Sequence, residues 1–368
     1  MARPLDRRTF LRTSLLAAAA GSVTRVSVQC ERRFWTDGGF NGFALVDQPV
    51  EVWSPTHDQP GPRGILQAYP YEALSRKVTA MDADGRVRWA VDLLDQVHPG
   101  VRARYEDVDG LRVRYVRRGR GPALVLLHGF ASSIYTWADV IPRLAADHDV
   151  VALDLPGFGG SDVRPELTPS VYPATVLAVM DRLGIARATL AGNSLGGGVA
   201  VVLAARHPER VRRLVLLDTA GFSLDPARRP WMLRLLGTAP GAAALERLPI
   251  KRISVRTALR QVFYEQARVT PERTEEYLAP LARPGSAAAM RSILAGSAQF
   301  GLPELVGEVR VPTLIVWGRQ DRWIPVADAA RFAAAIPRAR LVVLEGCGHL
   351  PQEERPAEVV RLLEEFDP

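Results

Sequence analysis

Six short runs of Val, Leu and Ile recur between residues 123 and 349, and they constrain the fold more than any other feature. They are "ALVLLHG" (123–129), "DVVALDLPG" (149–157), "ATLAGNS" (188–194), "RLVLLDTAG" (213–221), "TLIVWGRQD" (313–321) and "ARLVVLEGCGH" (339–349). Each run is continuously apolar over about four residues and does not alternate with polar ones, as expected of strands covered on both faces. Helix-length stretches such as 195–206, 326–336 and 354–365 separate most of them. The pattern predicts an α/β fold, a mostly parallel sheet with helices on both faces. A hairpin turning at Asp109-Gly110 is expected to lead in, within "RARYEDVDGLRVRYVRRG". Between residues 221 and 304 the alternation stops. Ala, Leu and Arg punctuated by proline mark a helical insertion there.

In open α/β sheets the ligand sits beyond the carboxyl ends of the strands. The chemically suspicious residues fall at such ends. Ser194 follows "ATLAG" directly and begins the helix "LGGGVAVVLAAR", with Gly192 and Gly196 on either side. A sharp strand-to-helix turn there exposes the hydroxyl, and the helix N-terminus favours developing negative charge.

A serine hydroxyl needs a base. Of the six histidines, His57 and His98 lie in an unread N-terminal stretch, His128 sits in the "HGF" turn and His148 precedes a strand. His207 ends the helix that Ser194 begins, which puts it on the wrong side of the sheet. His349 closes the last strand, after a Gly-Cys-Gly turn, and is the expected base. The imidazole needs an acid to hold its tautomer. Asp218 and Asp321 both end strands between Ser194 and His349. Asp321 is favoured because its strand neighbours the one delivering His349. Asp154, in "DLPGFGGSD", is read as a turn-stabilising residue. The oxyanion donors should be the backbone N–H groups of Leu195 and Phe130.

With those residues in place, 101–368 resembles an α/β-hydrolase of the cap-bearing type. The "HGF" turn, "DLPGFGGSD", "GNSLGGG", "GRQDRWIP" and "GCGHLPQEERP" stand in that family's order. The resemblance implies Ser194, Asp321 and His349 as the triad, Phe130 and Leu195 at the oxyanion hole, and a helical cap at about 221–304. Relatives of this fold that open epoxides or remove halogens use aspartate at the elbow, so serine argues against both. Hydrolysis of a small to medium carboxylic ester is the first expectation. Carbon–carbon bond hydrolysis of an acidic diketo or dienone substrate is the alternative, since Asn193 before the serine and the tone of the insertion resemble the meta-cleavage enzymes. By that resemblance Arg260 is a candidate grip for the acidic group. Leu350 departs from it, because those enzymes often carry tryptophan after the histidine. Trp231, Met232, Leu235, Leu236, Phe263, Tyr264 and Trp323 are candidate pocket residues, with the insertion's own small core as the competing place for most of them. A non-catalytic binding protein on the same fold is the rival class. Such proteins usually lose a triad residue, and all three are present here.

No metal or nucleotide cofactor is expected, because no His, Cys or carboxylate cluster has ligand spacing. The net charge of +7 comes almost wholly from dispersed arginine, with Lys77 and Lys251 the only lysines. That distribution argues against a nucleic-acid partner and leaves a small-molecule substrate. Between 221 and 260 basic residues outnumber acidic ones eight to two, read as a solvated helix face. Cys30 and Cys347 carry no sign of pairing. Residues 1–29 resemble a twin-arginine export signal, with Arg7-Arg8, Phe10, Leu11 and a short apolar stretch from Leu15 to Ala20. They imply export to the periplasm or beyond, with the export machinery as a transient partner and no stable membrane span. Residues 30–100 form an extension of unknown role. Within it, "TAMDADGRVRWAV" is expected to be a second hairpin, turning at Asp84-Gly85.

Overall fold

The computed structural model describes residues 104–164, 166–222, 251–296 and 301–367, with residues 237–238 and 240–241. In the N-terminal part it describes 26–30, 44–45, 50–53, 64–70, 72–82 and the single positions 86, 89, 90 and 93. The chain divides into two compact units, Met1–Ala103 and Arg104–Pro368. Residues 1–25 of the signal-like segment lie outside the described residues, and its last four belong to the first strand, Val26–Cys30.

In the first unit, strands β1 (Val26–Cys30), β2 (Ala44–Leu45), β3 (Val50–Trp53) and β4 (Gly64–Pro70) form an antiparallel sheet in the order β1-β4-β3-β2, followed by helix α1 (Glu72–Thr79). The hairpin expected over 79–91 is not formed. Arg86 N–H bonds back four residues to the Asp82 carbonyl, and Arg86, Trp89, Ala90 and Leu93 are helical. Ala90 and Leu93, three residues apart, are both buried, as on one face of a helix; the expected turn at Asp84-Gly85 and the residues Val87 and Val91 lie outside the described residues.

The second unit is an eight-stranded sheet in the order β12-β11-β10-β9-β7-β8-β6-β5. Its strands are β5 (Arg104–Val108), β6 (Leu111–Arg118), β7 (Ala123–Leu127), β8 (Asp149–Leu153), β9 (Ala188–Asn193), β10 (Val211–Leu217), β11 (Thr313–Gly318) and β12 (Ala339–Leu344). The expected lead-in hairpin is β5–β6, and β6 runs antiparallel to β8. All other pairings are parallel. Helices α2 (Ile141–Leu144), α3 (Val171–Arg182), α4 (Leu195–Arg206), α5 (Lys251–Val262), α6 (Pro271–Leu281), α7 (Ser286–Gly296), α8 (Leu302–Val306), α9 (Ala327–Ala335), α10 (Pro351–Glu354) and α11 (Pro356–Phe366) complete it.

The period-two alternation of a strand explains why the runs are apolar throughout. In β7, Val125 and Leu127 enter one core while Leu124 and Leu126 enter the other. Leu214 and Leu216 of β10 oppose Val215 and Leu217 in the same way. Helices α3 and α4 cover the first face, with Tyr172, Val176, Val199 and Leu203, and α11 covers the second with Val359 and Leu363. Each such side chain, fully buried, is worth about 1.5–3 kcal/mol, so neither face tolerates a polar residue cheaply. Helices α5–α7 lie in the insertion between β10 and β11. Val255, Leu259, Val262, Phe263 and Val269 there form a separate small cluster with Leu350.

Candidate active site

Ser194 stands at the junction of β9 and α4 with φ +51°, a left-handed conformation rare for a residue with a side chain. The helix packs so closely on the sheet that the turn needs its glycines. A Cβ on Gly192 would lie 2.4 Å from the Gly196 backbone, and one on Gly196 would lie 2.2 Å from the Leu127 carbonyl. The strain is held by Ser194 N–H, which donates to Leu217 O at 3.0 Å, and by Ser194 O, which accepts from Gly198 and Ala220.

His349 and Asp321 meet beside it. His349 Nδ1 donates to Asp321 Oδ2 at 2.7 Å, and both side chains are buried. The Asp321 Oδ1 accepts the Trp323 and Ile324 N–H groups at 2.7 and 3.1 Å, so backbone donors fix the carboxylate plane. Trp323 lies over the imidazole with ring centroids 5.6 Å apart. The two loops that carry this pair are tied together: Gln320 N–H donates to Cys347 O, and Cys347 N–H donates to Gln320 Oε1. Of the other described histidines, His128 is locked as a neutral ring. Its Nε2 accepts Leu155 N–H at 2.9 Å, which leaves Nδ1–H to donate to Gly129 O, and burial lowers its pKa. His148 bonds to the Leu144 and Asp367 carbonyls, and His207 caps the far end of α4. Asp154 stabilises its turn as expected, accepting from Ile134 N–H, Gly160 N–H and Arg114.

Leu195 follows the serine and Phe130 lines the same cavity, and among the described residues neither backbone N–H finds a protein acceptor. Gly129 packs close to the serine turn, since a Cβ there would lie 3.0 Å from Asn193 Oδ1 and 3.2 Å from Ser194 Cβ. Asn193 is wholly buried. Its Nδ2 donates to Leu217 O and to His349 O, joining the serine turn to the histidine loop.

A cavity of about 140 Å³ opens on Ser194 and His349. Cavities of this size hold a benzene-sized group. The insertion supplies one wall, including Val255, Leu259, Leu281 and Met290; the candidate pocket residues Asn193, Trp323 and Leu350 and the candidate oxyanion residue Phe130 also line it. Three other expectations are corrected. Arg260 is exposed on the outer side of α5 and does not line the cavity. Phe263 is buried in the insertion's own cluster, with the Arg273 guanidinium 5.3 Å from its ring centroid. Tyr264 is also exposed and away from the cavity. Trp231, Met232, Leu235 and Leu236 lie outside the described residues.

Tyr277 and Ser132 line the cavity without having been singled out in the sequence. The Tyr277 hydroxyl donates to Glu353 Oε1, which also accepts from Thr136 Oγ1 at 2.6 Å, while Arg273 Nε lies 3.1 Å from Oε2. The neighbouring Glu354 accepts the N–H groups of Tyr264, Glu265 and Gly348, clamping the insertion to the histidine loop. Only the Tyr277, Leu281 spacing on α6 hinted at such a face.

Burial lifts Glu353 from its ordinary value of 4.5 to about 7, against the opposing pull of Arg273. Its stabilising contribution is complete below about pH 4.5 and is lost as pH rises through about 7. Glu353→Gln is expected to flatten the dependence of melting temperature on pH across that window, measured by thermal denaturation. An unchanged slope would reject this assignment.

The comparison with known proteins follows the same geometry. The family model for the α/β hydrolase fold matches residues 122–356. The chain belongs to the α/β-hydrolase fold family. This hydrolase is 34% identical over 267 residues to the 2-hydroxymuconate semialdehyde hydrolase of Pseudomonas sp. (strain CF600), covering 70% of its own length and 90% of the relative. It superposes on the meta-cleavage product hydrolase of Pseudomonas fluorescens IP01 with a TM-score of 0.61 at 29% identity, over 72% of this chain and 96% of the other. A bacterial membrane phospholipase A gives a TM-score of 0.59 at 29% identity, over 80% and 94%. Among the described residues, no helix of this hydrolase is long and apolar enough to cross a membrane.

Proposed function

We propose that this hydrolase cleaves a bond to a carbonyl carbon through a covalent Ser194 intermediate, and that its substrate is an enol-keto acid of the meta-cleavage type, cut at a carbon–carbon bond. The strained Ser194 beside the His349–Asp321 pair carries the reading. His349 takes the serine proton as Oγ bonds to the ketone carbon. The N–H groups of Phe130 and Leu195 receive the developing oxyanion. Collapse breaks the carbon–carbon bond. For this the 2-hydroxyl proton of the substrate has first moved to C5; the departing C5 electron pair is then taken up by the conjugated C2 ketone as an enolate, and His349 returns its proton to that product. Water, activated by the same imidazole, then releases the acyl group. The insertion acts as the cap that closes over the substrate.

The substrate class draws its support from the 34% identical semialdehyde hydrolase and from Asn193 before the nucleophile. These relatives reverse the order reached from sequence alone, where an ester stood first. A specific observation favours the ester as second reading: among the described lining residues there is no Lys or Arg to hold a carboxylate. The test is turnover of a 6-phenyl or 6-methyl 2-hydroxy-6-oxohexadienoate, followed by loss of its dienol absorbance, beside turnover of a p-nitrophenyl butyrate ester. Carbon–carbon cleavage at the higher kcat/KM is expected. Ester turnover with the dienoate left intact would replace the first reading with the second.

A further inference from the structure

Asp218 ends β10, the strand between the one that delivers Ser194 and the one that delivers Asp321. It is fully buried and takes φ +42°, one of four non-glycine residues at positive φ among those described; Ser194 is another. A residue held in that conformation without exposure points to a constraint that the surrounding structure maintains. Its Oδ1 accepts Gly318 N–H at 3.0 Å, while its Oδ2 receives no N–H or O–H donor. Asp218, Asp321 and His349 each present a ligand-type atom within 4.8 Å of the others.

Two carboxyl groups this close in a dry site do not both ionise. The donors decide which one keeps the charge. Asp321 accepts two backbone N–H groups and the His349 Nδ1–H, whereas Asp218 accepts one N–H. The proton therefore belongs on Asp218, at the oxygen that has no donor. We propose that Asp218 is a positioning residue, a neutral carboxylic acid whose Oδ2–H donates to Asp321 and orients it toward His349. The pair then carries a single negative charge, matched to one imidazolium. Burial first, and the Asp321 charge second, push the Asp218 carboxyl well above the usual carboxylate range. The other titratable groups facing this site are Glu354 on α10 and the Cys347 thiol, which burial also pushes up.

The inference rests on the triad assigned above, and its consequences differ in sign from those of a charged Asp218. Removing a neutral donor leaves Asp321 a stronger base, which raises the His349 pKa. Removing a negative charge would lower it. In Asp218→Ala the acidic limb of the kcat/KM–pH profile is expected to move up by about one unit. In Asp218→Asn, whose amide N–H can still donate, the limb is expected to stay in place. A downward shift in both variants would show Asp218 ionised, and an unmoved limb in Asp218→Ala would reduce it to packing; either overturns the proposal. Infrared difference spectroscopy supplies a readout independent of turnover. A protonated-carboxyl carbonyl band is expected in the native protein at about pH 9, where Glu353 is ionised, and absent from Asp218→Asn. Absence of that band from the native protein would also overturn the proposal. Inactivity of Ser194 with the band present would overturn the triad and leave the proton assignment standing.

Discussion

Ser194→Ala is expected to lower kcat for the true substrate by roughly a million-fold while leaving the fold and substrate affinity intact. The loss is large because Oγ forms the covalent bond. His349→Ala should cost about as much, since a serine without its base is a poor nucleophile, and the two losses should not add. Asp321→Asn is expected to cost about 10⁴-fold, because the amide reverses the hydrogen bond that holds the His349 tautomer. Labelling by a fluorophosphonate probe checks the assignment directly. An adduct on Ser194 in the native protein, lost in His349→Ala, is expected. Near-native turnover by Ser194→Ala would reject the mechanism, and a folded native protein that fails to label would revive the non-catalytic reading.

The largest stability effect is expected at Trp317. This side chain of β11 is fully buried, with its ring 6.0 Å from Phe332, and its indole N–H donates to Ile324 O at 3.2 Å. Ile324 belongs to the turn whose N–H groups hold Asp321, so one residue supports both the core and the acid. Trp317→Ala opens a cavity that the neighbouring strands cannot fill and is expected to cost about 3–5 kcal/mol, a large part of the stability of a domain. The denaturant midpoint measures it. Trp317→Phe keeps most of the volume but loses the hydrogen bond, and is expected to cost less while still lowering kcat through the loosened Asp321 turn. Equal stability of native and alanine forms would contradict the packing described.

Ser194, Asp321 and His349 were legible because each is the last event of a strand, and strand ends announce themselves through local patterns of apolar runs and glycine turns. Leu195, Asn193 and Leu350 followed, being one residue from those landmarks, and Phe130 followed from the "HGF" turn after β7. The pocket wall was not legible in the same way. Arg260 lies on α5 with Val255 and Leu259, and Phe263 stands just past its end, yet of the four only Val255 and Leu259 line the cavity. Helical periodicity shows that a face exists but not what it packs against, and the choice between the cavity and the insertion's own cluster is made by how α5 sits on α6. Tyr277, Ser132 and Glu353 come from segments at least 76 residues apart, with no local motif to connect them.

The same division holds for the protein as a whole. The sequence by itself determined the parallel sheet, the order of its strands along the chain and the three residues at the strand ends, because continuous burial on two faces leaves no other pattern for such runs. Tertiary structure decided that Arg86 turns into a helix and not a hairpin. It also decided which insertion residues line the cavity, and that Asp218 lies against Asp321 in a site dry enough for one proton to be shared. Those outcomes depend on distances between segments remote in the chain, and burial acts on a charge only once such segments have closed around it.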